Sequence, residues 1–271
     1  MSILAFLYHT VPGRLLLKPL TARPLSKIAG AYLDREASKW LIRPFVKKAG
    51  IDLNEYESAD FHSFNDCFSR KIKEGFRPVD PDPAHFIAPC DGFLSIWPIT
   101  DGLVVPIKQS QYSISRLLRD EALAKQYEGG LCLVFRLCVE HYHRYIYAQS
   151  GRKSENRFIP GVLHTVRPVA LESIPVFTEN CREYCVIQTE NFGPVVQMEV
   201  GAMLVGKIAN HDPEEKQVLR GEEKGMFLYG GSTIVVLVQK GVLAPENKFL
   251  TASLEGKELP VKQGEKIGGQ V

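Results

Sequence analysis

The sequence predicts an α+β protein in which a helical N-terminal region precedes a β-rich body of short, mostly antiparallel strands. Apolar residues recur at helical spacing within residues 1–80. Beyond the proline-rich stretch 78–83, residues 81–271 contain short apolar runs separated by glycine and proline, a texture typical of strands. The length of 271 residues and the 45% apolar content suit a globular protein with one large domain or a core plus an appendage.

Helices are predicted over 24–48 and 60–73 in the N-terminal region, and over 113–126 in the body. In the first helix the apolar residues keep a near-helical spacing until Pro44. In the second, four apolar side chains fall on one face: Phe61, Phe64, Phe68 and Ile72. Strands are predicted for the apolar runs of the body, at 94–98, 103–107, 131–138, 143–148, 157–166, 184–189, 195–209 and 233–239.

The first 33 residues form a basic and apolar segment that contains no Asp or Glu. Its charges follow the apolar stretch, so it does not match a secretory signal, and no run reaches the length that spans a bilayer. Two interpretations remain open. The segment lies in a membrane interface with its basic side chains at anionic headgroups, or it is a helix packed on its own core with a solvated basic edge.

Net charge and cysteine spacing exclude several classes of protein. A formal net charge of +2 gives no whole-molecule reason to expect nucleic-acid binding. The six cysteines include no CxxC pair, and no two histidines accompany them at the spacing of a zinc site, so no metal is expected. Reduced, mostly buried thiols in a cytoplasmic protein are the favoured interpretation.

A glycine turn before an apolar strand marks the most informative stretch, Gly230-Gly231-Ser232-Thr233 followed by Ile-Val-Val-Leu-Val. Glycine lacks a Cβ, so it tolerates unusual backbone angles and leaves its own carbonyl open to attack by the next side chain. The Ser232 hydroxyl could therefore cleave the chain at Gly231. A structural turn into a strand is the ordinary alternative for such a pattern.

Polar groups elsewhere in the body suit serine chemistry. Asp91 lies in a Pro-Cys-Asp-Gly turn before a strand, and His143 follows a strand-like run. An aspartate, a histidine and a serine that are distant in sequence can converge as orienting group, base and nucleophile. Each also has a structural explanation, because Asp91 could cap a turn and His143 could be a hydrogen-bonded core histidine.

Several ordered motifs together resemble the phosphatidylserine decarboxylase proenzymes. They are PCDG, HYHR, MEVGAMLVGKI and RGEEKGMFLYGGSTIVVL, preceded by LYHTVPGRLLLKPL and FHSFNDCFSRKIKEGFRPVD. The resemblance covers nearly the whole chain. It implies self-cleavage between Gly231 and Ser232, which would give fragments 1–231 and 232–271 and convert Ser232 into a covalent pyruvoyl cofactor.

The same resemblance implies the reaction and the partners. The pyruvoyl group would form a Schiff base with the amine of phosphatidylserine, and loss of carbon dioxide would give phosphatidylethanolamine. Asp91 would support self-cleavage and His143 would donate a proton. A peripheral position on the cytoplasmic face of an anionic membrane follows, while the sequence leaves a homodimer open.

One position departs from the family pattern. Ile146 occupies the place of a second histidine that usually has the base role in cleavage, and His141 replaces the aspartate of the DYHR-type motif. Either His143 serves both steps, or His164 on a neighbouring predicted strand supplies the base, or the chain is not processed. A decarboxylase of another serine-headgroup lipid or of an amino-acid-like substrate, and a non-processing membrane-binding relative, are the alternative functions.

Overall fold

The structure is a computed structural model that describes residues 3–104, 112–166, 168–171, 174–202, 207–228 and 232–271. It confirms the predicted α+β class, because short helices come first and a body of mostly antiparallel strands follows. The N-terminal helices are α1 (Ile3–His9), α2 (Val11–Leu20), α3 (Arg23–Leu33), α4 (Ile42–Ala49) and α5 (Phe64–Phe68). Among the described residues, no helix combines the length and the apolar character needed to cross a bilayer.

The helix predicted over 24–48 is broken in the structure. A 3-10 turn, Glu36–Leu41, separates α3 from α4. Its buried Ser38 hydroxyl donates to Leu33 O at 3.0 Å and so caps the end of α3. Pro44 lies inside the first turn of α4 and does not end the helix, because a proline there removes no intrahelical hydrogen bond.

The helix predicted over 60–73 shrinks to α5. Ser63 caps its start by accepting a hydrogen bond from Asp66 N. At its end the fully buried Arg70 guanidinium donates to Cys67 O and Phe68 O, and also to Glu140 O and His141 O. Arg70 therefore ends the helix and ties it to the body, a tertiary contact that helical spacing does not reveal.

The body contains short helices between its strands. They are α6 (Ile114–Leu118), α7 (Glu121–Lys125), α8 (Pro168–Leu171), α9 (Val176–Glu179) and α10 (Asn247–Leu254). The single helix predicted over 113–126 is thus two helices. Arg119 adopts a left-handed conformation at φ 49° between them, and the Asp120 side chain caps the start of α7.

The strands of the first half of the body are β1 (His85–Ile87), β2 (Gly92–Pro98), β3 (Leu103–Val104), β4 (Tyr112–Ser113), β5 (Leu131–Leu137), β6 (Arg144–Ile146), β7 (Gly151–Lys153) and β8 (Arg157–Ile159). Those of the second half are β9 (Arg182–Gln188), β10 (Pro194–Val200), β11 (Lys207–Asn210), β12 (Lys216–Val218), β13 (Glu223–Leu228), β14 (Ser232–Val238), β15 (Leu243–Pro245), β16 (Leu259–Val261) and β17 (Lys266–Gln270). The run 195–209 forms two strands, and 157–166 is a strand only at its start.

The described strands form a main sheet in the order β12-β7-β9-β10-β14-β5-β2-β16, with β8 also paired to β9. A smaller sheet, β11-β13-β6, contributes Tyr145 and Phe227 to the core cluster that contains Ile234 and Val236 of β14. Val235 and Leu237 point to the opposite face of β14, where the cluster includes Tyr8 of α1. The main sheet therefore separates two hydrophobic cores. The six cysteines are free thiols, and five of them are buried.

Candidate active site

Strand register brings Ser232 and the Asp91 turn to one end of the main sheet. Ser232 begins β14 opposite Leu137, the last residue of β5. Across β5, Arg136 lies opposite Phe93, the residue after Gly92 at the start of β2. Because neighbouring strands lie about 4.8 Å apart, the backbones of Ser232 and Gly92 are separated by roughly 10 Å.

Ser232 is fully buried, and its side chain faces the smaller sheet. It lies two residues before Ile234 on the same strand, so both side chains share the face that packs on β13 and β6. Its Oγ has no hydrogen-bond partner among the described residues. A buried hydroxyl without a partner costs about 1–3 kcal/mol. Gly231, the predicted partner in cleavage, lies outside the described residues, as do residues 203–206 of the glycine-flanked stretch after β10.

Asp91 is held in one orientation by three hydrogen bonds. Arg77 Nε donates to Oδ1 at 2.8 Å, and Arg77 Nη2 donates to Oδ2 at 2.6 Å. The backbone N of Gln263 donates to Oδ1 at 2.9 Å. Gly92 lets this turn approach β5, because a Cβ there would lie 2.9 Å from Arg136 O. Sequence reasoning assigned no role to Arg77, although it belongs to the Phe-Arg-Pro stretch of the family resemblance.

A cavity of about 490 Å³ opens beside this ion pair. Its wall includes Tyr56, Arg77, Asp91, His141 and Lys262. His141 Nδ1 accepts a hydrogen bond from Cys138 N at 2.8 Å, and burial lowers the pKa of its imidazole. A cavity of this size, with both apolar and charged side chains in its wall, falls within the range of small-molecule sites.

His143 is fully buried on the side of the smaller sheet. Its Nδ1 lies 2.9 Å from His141 O, a carbonyl that can only accept, so Nδ1 carries the proton and Nε2 is the basic nitrogen of the neutral ring. The ring packs on Phe68 at a centroid distance of 3.9 Å. The backbone carbonyl of His143 accepts a hydrogen bond from Phe227 N at 2.9 Å. This bond ties His143 to β13, the strand that leads to residues 229–231.

His164 occupies the opposite side of the main sheet. Its Nδ1 lies 3.3 Å from the hydroxyl of Tyr8, which belongs to the other core cluster, and its Nε2 lies 3.5 Å from a Glu179 oxygen. Burial lowers the pKa of His164. Asn180 Nδ2 donates to both His164 O and Gly201 O, so the segment still reaches the end of β10. The predicted strand does not extend to His164, because β8 ends at Ile159.

Ile146, at the position where a family histidine is absent, is a buried residue of β6. Its carbonyl accepts a hydrogen bond from Gln197 Nε2 at 3.0 Å. Within the described ranges, no group of three or more His, Cys, Asp or Glu side chains is arranged to hold a metal ion. The side chains at this end of the sheet include the Ser232 hydroxyl and the Asp91 carboxylate that Arg77 holds.

Comparison with known proteins identifies the class to which this arrangement belongs. The family model described as phosphatidylserine decarboxylase matches residues 64–269, and the chain belongs to that family. The matched segment includes Asp91, His143, His164 and Ser232.

Individual relatives match over almost the whole chain. Phosphatidylserine decarboxylase proenzyme 2 of Clostridium acetobutylicum is 44% identical over 98% of this chain and 91% of its own length. The phosphatidylserine decarboxylase proenzyme of Ruminiclostridium cellulolyticum is 41% identical over 98% of this chain and 90% of its own length. A proenzyme of the same name from Clostridium botulinum is 39% identical over 90% of this chain and 84% of its own length. The first two matches cover 98% of the chain, so they include most of the first 63 residues, which the family model does not include.

Proposed function

We propose that this chain decarboxylates phosphatidylserine to phosphatidylethanolamine, with a pyruvoyl group that it makes from its own Ser232. Family membership over nearly the full length supports the reaction. The observation that carries the self-processing step is the buried Ser232 Oγ at the first position of β14, which has no hydrogen-bond partner among the described residues. A hydroxyl in that state is available to attack the carbonyl that directly precedes it.

The proposed cleavage needs only groups of this chain and water. Ser232 Oγ attacks the Gly231 carbonyl carbon as its proton passes to a base, and the peptide C–N bond breaks to give an ester and a free amine. Removal of the Ser232 Cα proton then expels the Gly231 carboxylate. The remaining dehydroalanine tautomerises to an imine, and water replaces its nitrogen and releases ammonia. The products are fragment 1–231 and fragment 232–271 with a pyruvoyl N-terminus.

His143 is the better candidate for the base. Its basic Nε2 belongs to a ring on the same side of the main sheet as the Ser232 side chain, whereas His164 lies on the other side against Tyr8. Asp91, fixed by Arg77, supplies a negative charge at the same end of the sheet. After cleavage, His143 would return a proton to the substrate carbon, because imidazole exchanges protons near neutral pH. When present, the ketone withdraws electrons from that carbon.

The N-terminal region, residues 1–80, is proposed to bind an anionic membrane surface. Leu15, Leu16, Ile28 and Trp40 are each more than half exposed, near basic side chains of the same helices. Leu7, Tyr8 and Leu17 are instead buried, so α2 has one face on the body and one free. These exposed apolar and basic side chains support a peripheral position of the protein on the cytoplasmic face of the membrane. A homodimer remains a proposal that oligomeric-state measurement would test.

Two measurements test the proposal. Intact-mass analysis of the purified protein should find two chains divided after Gly231, with the smaller chain carrying a blocked N-terminus. Incubation with phosphatidylserine vesicles should yield phosphatidylethanolamine. Ser232→Ala should leave one chain of full length and no activity. The matched control is Ser95→Ala, because Ser95 Oγ is also buried without a partner among the described residues but lies on β2, away from the strand ends.

The results separate the alternatives. A single unprocessed wild-type chain that still binds vesicles would support a non-processing membrane-binding relative. A processed chain that leaves phosphatidylserine intact would indicate another serine-containing headgroup lipid or an amino-acid-like substrate. Loss of cleavage in both serine variants would refute a specific role for Ser232.

A further inference from the structure

A fully buried ion pair connects the two sheets near Ser232 and has no part in the chemistry proposed above. Lys224 Nζ donates to Glu199 Oε2, and both side chains are completely inaccessible to solvent. Burial alone lowers the pKa of Lys224, but the adjacent carboxylate reverses this effect and raises it overall. The carboxylate therefore favours the charged form of Lys224, while burial raises the pKa of the Glu199 carboxyl.

Hydrogen bonds through Asn210 extend the pair into a network. Asn210 Oδ1 accepts from Lys224 Nζ at 3.2 Å and from the Tyr145 hydroxyl at 3.1 Å. Its Nδ2 donates to Glu199 Oε2 at 3.2 Å and to Glu183 Oε1 at 2.8 Å. These residues come from β13, β6 and β11 of the smaller sheet and from β10 and β9 of the main sheet. The network thus fixes the two sheets relative to each other by directional bonds.

The register places this network directly beside Ser232. Glu199 lies opposite Ile234 on β14, so Ser232 is its diagonal neighbour on the same face of the sheet. Lys224 lies on β13, which ends at Leu228, and three residues separate Leu228 from Ser232, the first residue of β14. Lys224 therefore lies on one of the two strands that flank residues 229–231, and Glu199 lies on β10, which is paired with the other.

The connection between β13 and β14 is short. Four residue steps separate Leu228 from Ser232, and a fully extended chain spans at most about 14 Å over four steps. A change in the separation of β13 and β14 would alter the backbone geometry at the Gly231-Ser232 bond. A misplacement of about 1 Å at a reacting centre can cost a hundredfold in rate.

A contribution to folding stability does not by itself explain why a Lys224–Glu199 ion pair occupies this place. Removal of two charges from water is costly, and an apolar pair of similar volume in such a place is often as stable or more stable. Glu199 Oε1 also has no hydrogen-bond partner among the described residues, which adds to the cost.

We propose that Lys224 and Glu199 are positioning residues for self-cleavage, which brace β13 against β10 and β14 and thereby hold the Gly231-Ser232 bond in the geometry that Ser232 attacks. This inference rests on the proposed function, since it presupposes that the bond is cleaved. Once the bond is cut, the two strands are no longer linked through residues 229–231. The brace should therefore matter more for cleavage than for turnover of the cleaved enzyme.

The test follows cleavage of newly synthesised full-length chains in a cell-free translation reaction, by a pulse-chase time course of fragment 1–231. Lys224→Met should slow cleavage by at least about tenfold. The kcat of the cleaved molecules, measured with phosphatidylserine in detergent micelles, should stay unchanged. The matched control is Lys153→Met, because Lys153 is equally inaccessible but lies on β7, three strands from β14, where it donates to Asn156 Oδ1 at 3.2 Å. The control should lose stability and cleave at the wild-type rate.

Lys224→Met leaves a buried unpaired carboxylate, so the double variant Lys224→Met/Glu199→Leu provides a second test. It contains no buried charge at this place and should fold with a Tm no lower than that of the wild type. Without directional bonds it should still cleave more slowly than the wild type. Wild-type cleavage rates in the double variant, or equal slowing by Lys153→Met and Lys224→Met, would overturn the inference. A wild-type chain that never cleaves would instead refute the proposed function.

Discussion

Loss of the Arg77 side chain should substantially destabilise the folded protein, although Arg77 lines an open cavity. The side chains of Arg77 and Asp91 are only 9% and 8% exposed, and they share two hydrogen bonds. Arg77→Met removes both bonds and leaves the Asp91 carboxylate with the single bond from Gln263 N. An unpaired carboxylate at this depth has lost most of its hydration without compensation.

The expected loss follows from the burial of the pair. Removal of one partner of a buried ion pair costs about 3–5 kcal/mol. The adjacent cavity admits water to the carboxylate, so the lower end, about 3 kcal/mol, is expected here. For an unfolding transition with an m-value of about 3 kcal/mol/M in urea, this corresponds to a midpoint shift of about 1 M.

Urea unfolding followed by circular dichroism measures this shift. The experiment is best done on the Ser232→Ala background, where one continuous chain unfolds. Lys71→Met is the matched control, because the Lys71–Glu57 pair is 57% and 50% exposed and its loss should cost no more than about 1 kcal/mol. A loss below about 1 kcal/mol for Arg77→Met would refute the view that Asp91 depends on Arg77.

Three further predictions concern the base, the membrane and pH. His143→Ala should abolish self-cleavage in the pulse-chase assay while His164→Ala cleaves, and the reverse result would assign the base to His164. Leu15→Ser/Leu16→Ser should weaken sedimentation with anionic vesicles, whereas the equally exposed Leu219→Ser of the body should not; equal binding by all three proteins would contradict a membrane role for α2. Burial lowers the pKa of His164 below its usual 6.5, so the unfolded chain binds a proton that the folded chain resists. The contribution of His164 to stability should be fully present above pH 6.5 and should be lost as the pH drops toward the folded pKa. His164→Gln should therefore reduce the fall in the urea midpoint between pH 7 and pH 5. An unchanged slope would show that His164 does not contribute.

The spacing of apolar residues predicted where helices occur more accurately than it predicted the residues at which they begin and end. Apolar periodicity correctly placed helical structure in 24–48, 60–73 and 113–126. It did not foresee the breaks, because Ser38 and Arg70 end helices through contacts with distant segments, and Arg119 adopts a left-handed conformation. Such contacts depend on tertiary neighbours and leave no periodic signal.

Ordered motifs were more informative for the site than any single residue. They singled out Asp91, His143 and Ser232, and register then brought the Asp91 turn and Ser232 to the same end of the main sheet, on strands separated by β5. The sequence left both His143 and His164 as candidates for the base and favoured His143 only slightly. The side of the main sheet on which each ring lies is decided by packing, and our proposal of His143 as the base rests on it.

The sequence by itself determined the α+β class and the family, because periodicity and short motifs are local properties of the chain. Only the tertiary structure revealed the Arg77 clamp on Asp91 and the Lys224–Glu199 ion pair beside Ser232. Burial turns these charges from ordinary surface groups into fixed partners, since a charge removed from water must find another within hydrogen-bonding distance. That requirement acts between residues that are far apart along the chain, and folding alone decides which of them meet.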